Sequence, residues 1–226
     1  YRSPMINFPT SVVDNFMPNP QDLIDYSKTL TWGKSPAGAW PGERSDDLIH
    51  ADPQFISHFI YRVLMLYYTQ SEIETDMRIT TEAYFQRISG DWDHGWIHSD
   101  HPHLLSIILY LTPNANPRSG TSLYRVKDWT KSLGDENVKK NYYLGKLSKE
   151  QQIPVREKHN ENFIEDTRIS NVYNRLLCFD SQLWHGVNSF DTGTEERLTL
   201  VCFLKSLSCS GTPINRSKRL SLFRNE

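Results

Sequence analysis

The chain has 226 residues and a mass of 26.4 kDa, enough for one domain with a full core or one domain with insertions. Lys and Arg number 25 against 27 Asp and Glu, so the net charge of -2 gives no general pull toward nucleic acid. Hydrophobic residues at 38% and aromatics at 12% argue against disorder, and no apolar run reaches the roughly 18 residues that a spanning helix needs.

No charged-then-apolar leader of the secretory kind opens the chain. It starts at Tyr1 rather than Met, which leaves room for an upstream piece. The cysteines are Cys178, Cys202 and Cys209, an odd count without regular spacing, which argues against a disulfide framework. Cys178 in Leu-Leu-Cys-Phe and Cys202 in Val-Cys-Phe read as small buried hydrophobes. A reducing, cytoplasmic setting is the expectation.

In chain order, Val12 and Val13 favour a strand, Pro18-Asn19-Pro20 breaks it, and Leu23, Ile24, Tyr26, Ser27 and Leu30 recur at helical spacing. Ser35-Pro36-Ala37-Gly38 and Pro41-Gly42 mark loops around Trp32 and Trp40. Pro53 to about Tyr68 is predicted as the best helix, with Phe55, Ile56, Phe59, Ile60, Val63, Leu64 and Tyr67 on one stripe and Pro53 in its first turn. The pattern then turns β. Strands are predicted over Ile79–Ile88, Trp96–Asp100, Leu104–Leu111, Val172–Phe179 and Leu198–Leu204, which suggests a sandwich, jelly roll or barrel.

Residues 125 to 170 are dense in charge and read as a partly helical insertion over the mouth of a site. The end of the chain is locally basic at Asn215-Arg216-Ser217-Lys218-Arg219 and reads as a solvated tail. The expected organisation is a single domain over 1–226. Helical support covers about 12–75, a β core about 76–206 with the insertion at 125–170, and the tail 207–226.

The chemistry concentrates in His98-Ser99-Asp100, His185 and Arg197. Residues two apart in an extended strand point the same way, so His98 and Asp100 would offer an imidazole and a carboxylate to one side. His185 would be a third ligand from a distant strand. Two His and one carboxylate leave positions open on a metal, the arrangement used for Fe(II) in non-haem oxygenases. Zinc accepts the same donors, so the triad alone does not choose iron. Arg197 stands twelve positions after His185, at the start of a strand that puts Thr199 on the same face. Its fork and the hydroxyl fit a carboxylate. His101-Pro102-His103 is itself an H-x-H, but Pro102 would break a ladder, so both histidines read as rim or supporting residues. His50, His58 and His159 show no partner pattern.

The ordered set resembles the Fe(II)- and 2-oxoglutarate-dependent dioxygenases, in particular their prolyl-hydroxylase-like branch, which reads H-x-D, then H, then R or K. Three further stretches are similar to that family: Ser106–Thr112 to its apolar strand, Ser119-Gly120-Thr121 to its Gly-Gly-Thr turn with Ser for the first Gly, and Leu176–Asp180 to its Leu-x-Phe strand. The opening Val12–Phe16 is similar to the segment leading into its first helix, and the likeness runs from about Val12 to Leu204. It implies a mainly β fold, a double-stranded β-helix (jelly roll, cupin-like) with flanking N-terminal helices. It implies His98, Asp100 and His185 as ligands of a catalytic Fe(II). Arg197, Thr199 and Tyr110 would grip the distal carboxylate of 2-oxoglutarate, with O2 as co-substrate and ascorbate as a supporting reductant. Halogenating members replace the carboxylate with a small residue, so Asp100 favours hydroxylation.

The implied substrate is a peptide or a polar small molecule, with no membrane partner. A nucleic-acid demethylase of the same superfamily is the weaker second, since it needs a basic channel with stacking aromatics and only the tail is basic. A non-catalytic cupin-like binding domain is opposed by the intact His98, Asp100, His185 and Arg197. A zinc hydrolase is opposed by the lack of a Glu placed as a base. The loop Trp92–Trp96 and the insertion are expected to border the open face, with Trp92, Trp96, Tyr142 and Tyr143 supplying apolar contacts.

Overall fold

The computed structural model describes residues 8–92, 94–130, 136–193, 196–211 and 213. The basic stretch Asn215–Arg219 lies outside the described residues. The elements are β1 (Ser11–Val13), α1 (Pro20–Ser27), β2 (Trp32–Lys34), β3 (Glu43–Ser45), α2 (Leu48–Ala51), α3 (Pro53–Leu64), α4 (Gln70–Thr75), β4 (Arg78–Ile88), β5 (Leu105–Tyr110) and β6 (Thr121–Val126). They continue with α5 (Glu136–Tyr143), α6 (Lys149–Asn160), β7 (Phe163–Ile169), β8 (Leu176–Asp180), β9 (Trp184–Val187) and β10 (Arg197–Ser208).

Two antiparallel sheets form the β core. The larger has seven strands in the order β1-β8-β5-β10-β4-β3-β2, and the smaller has three in the order β7-β6-β9. This is the jelly-roll architecture expected from the sequence. Register explains how one large sheet serves two purposes. Thr199 pairs with Tyr110 on one side and with Gln86 on the other, and Gln86 pairs with Arg44. Directly opposed residues share a face, so these four side chains form one row across β5, β10, β4 and β3. The alternate face carries Phe85, Ile107, Leu109, Cys178, Leu200 and Cys202, all buried and packed with the helices.

The helix α3 supplies the main covering layer. Pro53 sits at its first position and the Asp52 carboxylate accepts from the Phe55 N–H at 3.0 Å, a side-chain cap. Its stripe of Ile56, Phe59, Ile60, Val63 and Leu64 is fully buried. The second, smaller core lies with the facing sheet: Tyr110, Leu123, Ile169, Leu177 and Phe179.

Three expectations need correction. Trp96–Asp100 is not a strand; it makes a single bridge, His98 to His185. The strand predicted from Val172 begins only at Leu176, because Asn174 takes a left-handed φ of 61° and turns the chain. The Asn174 amide donates to the Met17 carbonyl at 2.8 Å and its carbonyl accepts from Met17 N–H at 2.9 Å, tying that turn to the N-terminal segment. Finally, the stretch read as an insertion includes β7, which pairs with β6 along its length. Five consecutive residues of β7 are exposed, so it carries charge rather than the alternation that marks a strand.

Candidate metal centre

His185 comes from β9, and His98 is held opposite it on the segment between β4 and β5. The main chains exchange two hydrogen bonds: His98 N–H to the His185 carbonyl at 2.9 Å and His185 N–H to the His98 carbonyl at 2.8 Å. Asp100 follows, its N–H donating to the Ser181 carbonyl at 2.8 Å. His98 Nε2 then stands 3.5 Å from Asp100 Oδ1, and His185 Nε2 stands 3.3 Å from Asp100 Oδ2. One donor atom from each of the three residues lies within 4.8 Å of the others. Donors at about 2.0–2.2 Å from a common ion and near right angles would be separated by about 3 Å, so the cluster is of the right size to hold one.

Both imidazoles are oriented by main-chain carbonyls. His98 Nδ1 is 2.8 Å from the Trp96 carbonyl, and His185 Nδ1 is 3.0 Å from that of Leu183. Each Nδ1 therefore carries the proton in the neutral ring, which leaves each Nε2 lone pair for a ligand. Asp100 is also held: Ser106 Oγ donates to Oδ2 at 2.6 Å and lies 2.8 Å from Ser181 Oγ.

Burial raises the Asp100 carboxyl, but the charge and hydrogen bonds of the two imidazoles outweigh it and hold it well below the usual carboxylate range. Burial lowers His98, and the neighbouring His185 lowers it further. Burial also lowers His185, yet the adjacent Asp100 carboxylate and the Leu183 carbonyl raise it overall. The cluster is thus one carboxylate with two imidazoles of unequal basicity.

A cavity of about 410 Å³ opens on this cluster and extends to Arg197, Thr121 and Ile108. Arg197 Nε donates to the Ser119 carbonyl at 2.8 Å, and its guanidinium lies over the Tyr110 ring at 5.4 Å. Tyr110 donates to Thr121 Oγ1 at 2.9 Å. Arg197 Nη2 and Thr199 Oγ1 are buried with no hydrogen-bond partner among the described residues. A buried guanidinium nitrogen and a hydroxyl that share one face and lack partners are groups that an added carboxylate would satisfy.

Gly120 makes this corner possible. A Cβ there would collide with the Ile169 carbonyl and stand 2.8 Å from the Asn171 nitrogen. Ser119, where the resembled family has Gly, accepts from Asn171 Nδ2 at 2.9 Å and donates to the Asn116 carbonyl at 2.7 Å. Its side chain holds the turn whose carbonyl receives Arg197.

The structure therefore brings His98, Asp100 and His185 into one cluster and Arg197, Thr199 and Tyr110 into an adjoining one. It brings in the insertion as well: Lys139, Lys140 and Tyr143 of α5 line the cavity with Gly95 and Trp96. Trp96 is buried rather than exposed at the rim, packed on His159 with centroids 5.5 Å apart. Trp92 and Tyr142 act as braces, since Trp92 packs edge-on to Tyr142 at 5.2 Å and to Tyr143 at 5.8 Å. His101 and His103 line the cavity, and His103 Nε2 is 3.6 Å from Glu82 Oε1.

Four residues escaped the sequence reading. Ser106 and Ser181 orient Asp100, His159 supports the His98 loop by its Nε2 at 2.6 Å from the Ile97 carbonyl, and Arg44 lines the cavity. The inward phase of β5 already places Ser106 with Ile108 and Tyr110. No sequence signal distinguishes His159 or Arg44.

The fold and the clustered donors define a jelly-roll protein with a candidate metal centre. The chain belongs to a family of unknown function (DUF6445), whose profile matches residues 5–204. No curated protein matches it significantly. Among solved structures it is similar to HygX from Streptomyces hygroscopicus with nickel, 2-oxoglutarate and hygromycin B bound, at 15% identity and a TM-score of 0.54 over 88% of this chain and 84% of that one. HygX with nickel and 2-oxoglutarate gives 14% identity and a TM-score of 0.52 over the same shares, 88% and 84%. A prolyl-4-hydroxylase from Pseudomonas putida gives 12% identity and a TM-score of 0.43 over 87% of this chain and 91% of that one.

Proposed function

We propose that this chain is an Fe(II)- and 2-oxoglutarate-dependent oxygenase of the prolyl-hydroxylase-like kind, which hydroxylates a C–H bond of a peptide or polar small molecule. The observation that carries the reading is one juxtaposition. A two-His, one-carboxylate cluster and Arg197 line one cavity, and Arg197 and Thr199 beside it on the same strand face each carry a buried polar atom without a partner among the described residues. The similarity to HygX structures that hold nickel and 2-oxoglutarate supports the same reading.

In this reading His98, Asp100 and His185 hold the metal through Nε2, a carboxylate oxygen and Nε2. The Trp96 and Leu183 carbonyls keep both rings in the ligating tautomer. Bound Fe(II) with 2-oxoglutarate and O2 supplies the chemistry: oxidative decarboxylation of the 2-oxo acid coupled to oxygen insertion into a C–H bond. Arg197 Nη2 and Thr199 Oγ1 receive the distal carboxylate of 2-oxoglutarate. Tyr110 flanks it, with its hydroxyl engaged by Thr121. The helix α5 and the loop around Trp96 wall part of the remaining side, where they could shield the site from water once substrate is bound. The whole chain is read as one oxygenase domain.

The test is direct. Purified protein supplied with Fe(II), ascorbate and 2-oxoglutarate should release succinate in a slow, substrate-independent turnover. The rate should fall to background when Fe(II) is omitted. No succinate, together with no binding of 2-oxoglutarate to metal-loaded protein, would sink the proposal.

A further inference from the structure

We infer that Arg44 is a specificity-determining residue that receives a carboxylate of the substrate. The inference rests on the oxygenase reading of the site and adds the chemical class of what enters it. Arg44 lies on β3, and sheet register sets it in the row Arg44–Gln86–Thr199–Tyr110. It therefore faces the same side as the Arg197–Thr199 pair, with two strand spacings, roughly 10 Å, between Arg44 and Thr199. It lines the same cavity as the metal-ligand cluster.

Among the described residues the guanidinium is held by aromatic rings rather than by an anion. Its carbon lies 4.2 Å from the Trp40 centroid, 5.3 Å from that of Tyr84 and 5.5 Å from that of Phe203. Such packing fixes the plane of the fork and shields its Nε edge from water. Hydrogen bonding does not compensate. Among the described residues the one bond formed, Nη2 to Gln86 Oε1, is long at 3.5 Å, and Nε is buried without a partner. A guanidinium has five N–H donors, and a half-buried cation so poorly paired has donors left for an incoming anion.

The nearby carboxylates are already committed. Asp100 is held by His98, His185 and Ser106, and Glu82 by His103 and Lys205. Burial pushes the Arg44 guanidinium down to about 10, and among charges Asp100 acts on it most strongly. It stays protonated near neutral pH and lies within electrostatic reach of the metal-ligand cluster. Lys139 and Lys140 of α5 line the same cavity and add positive potential. A planar carboxylate matches a planar, stacked fork bidentately. Held there, the substrate would place a C–H bond a short distance from its carboxylate toward the triad.

The probe is N-acetylglycine, with N-acetylglycinamide as its uncharged counterpart. Each is titrated by NMR into protein loaded with Zn(II) and 2-oxoglutarate, and into unloaded protein. The acid should bind at least about tenfold more tightly than the amide, the fold-change expected of a charge-assisted pair. Arg44→Met should abolish that preference and Arg44→Lys should keep part of it, with thermal melting used to confirm that both variants fold. Equal affinity for acid and amide in the wild-type chain overturns the proposal. So does a preference that survives Arg44→Met, because the acid then sits on the metal or on Arg197. Absence of 2-oxoglutarate binding in the wild-type chain would overturn the oxygenase reading instead. The acid preference of the unloaded protein still reads Arg44 in that case.

Discussion

His98 and His185 are joined by a reciprocal pair of main-chain hydrogen bonds, 2.9 Å and 2.8 Å long, and their imidazole centroids stand 4.4 Å apart. An antiparallel bridge puts the two side chains on the same face. The geometry of the three candidate donors therefore does not depend on a strand at Trp96–Asp100. One bridge and the Asp100 N–H bond to the Ser181 carbonyl are enough to set three donors around one point.

Replacing His98, Asp100 or His185 with Ala should lower the affinity for Ni(II) by roughly a hundredfold or more, beyond what loss of a supporting group causes. Calorimetric titration of metal measures it, with circular dichroism as the check on folding. A folded variant that binds Ni(II) like the parent would remove that residue from the ligand set.

Arg197→Ala should weaken 2-oxoglutarate binding by a factor of about ten to a hundred, because a charge-assisted bidentate contact is lost. Thr199→Val keeps the shape and removes one hydroxyl, so a loss of only a few-fold is expected. Both are read from 2-oxoglutarate titration of metal-loaded protein. Equal effects of the two variants would contradict the primary role given to the charge.

His159 on α6 is buried against Trp96 and Phe163 and satisfies the Ile97 carbonyl, one residue before His98. His159→Ala leaves that carbonyl unpaired and a void beside the loop, for a loss of about 2–3 kcal/mol in stability. It should also reduce metal affinity about tenfold, since it loosens the support of a ligand. Denaturant unfolding and Ni(II) titration test the two effects separately. Full metal affinity in a destabilised variant would make His159 purely a core residue.

Arg175 grips Asp14 bidentately, Nε to Oδ1 at 2.6 Å and Nη2 to Oδ2 at 2.9 Å, and this pair ties the N-terminal segment to the turn before β8. The hydrogen bond from Arg175 lowers the Asp14 carboxyl below its ordinary value of 3.8. Its contribution is therefore fully present above that ordinary value and is lost as pH falls through the lower folded value. Asp14 is about half exposed, so solvent screening limits the pair to less than about 1 kcal/mol. The stability gap between the parent and Asp14→Asn should be constant from about pH 7 to 5 and close below about pH 4. A gap that widens in acid would mean the carboxylate does not carry it.

Much of the architecture was legible from residue pattern alone. The stripe on α3 and the apolar or alternating runs of β4, β5 and β10 reflect two periodicities, 3.6 and 2, that local geometry imposes. The same alternation put Arg197 and Thr199 on one face before any partner strand was known. The order H-x-D, H, R likewise marked four candidate residues, His98, Asp100, His185 and Arg197, that line one cavity.

Other features were beyond sequence reading because they depend on partners distant in the chain. The strand β7 is mostly exposed, so only its pairing with β6 reveals it. His98 faces His185 because of a main-chain bridge, not because of strand propensity around Trp96. The support that His159 gives comes from packing α6 against the loop before His98. Arg44 sits on a strand of three residues, too short for a readable period, and only the register across β3, β4 and β10 aligns it with Thr199. Periodicity is a local property and survives in the sequence. The convergence of side chains from separate strands is set by register and packing, which exist only once the chain has folded.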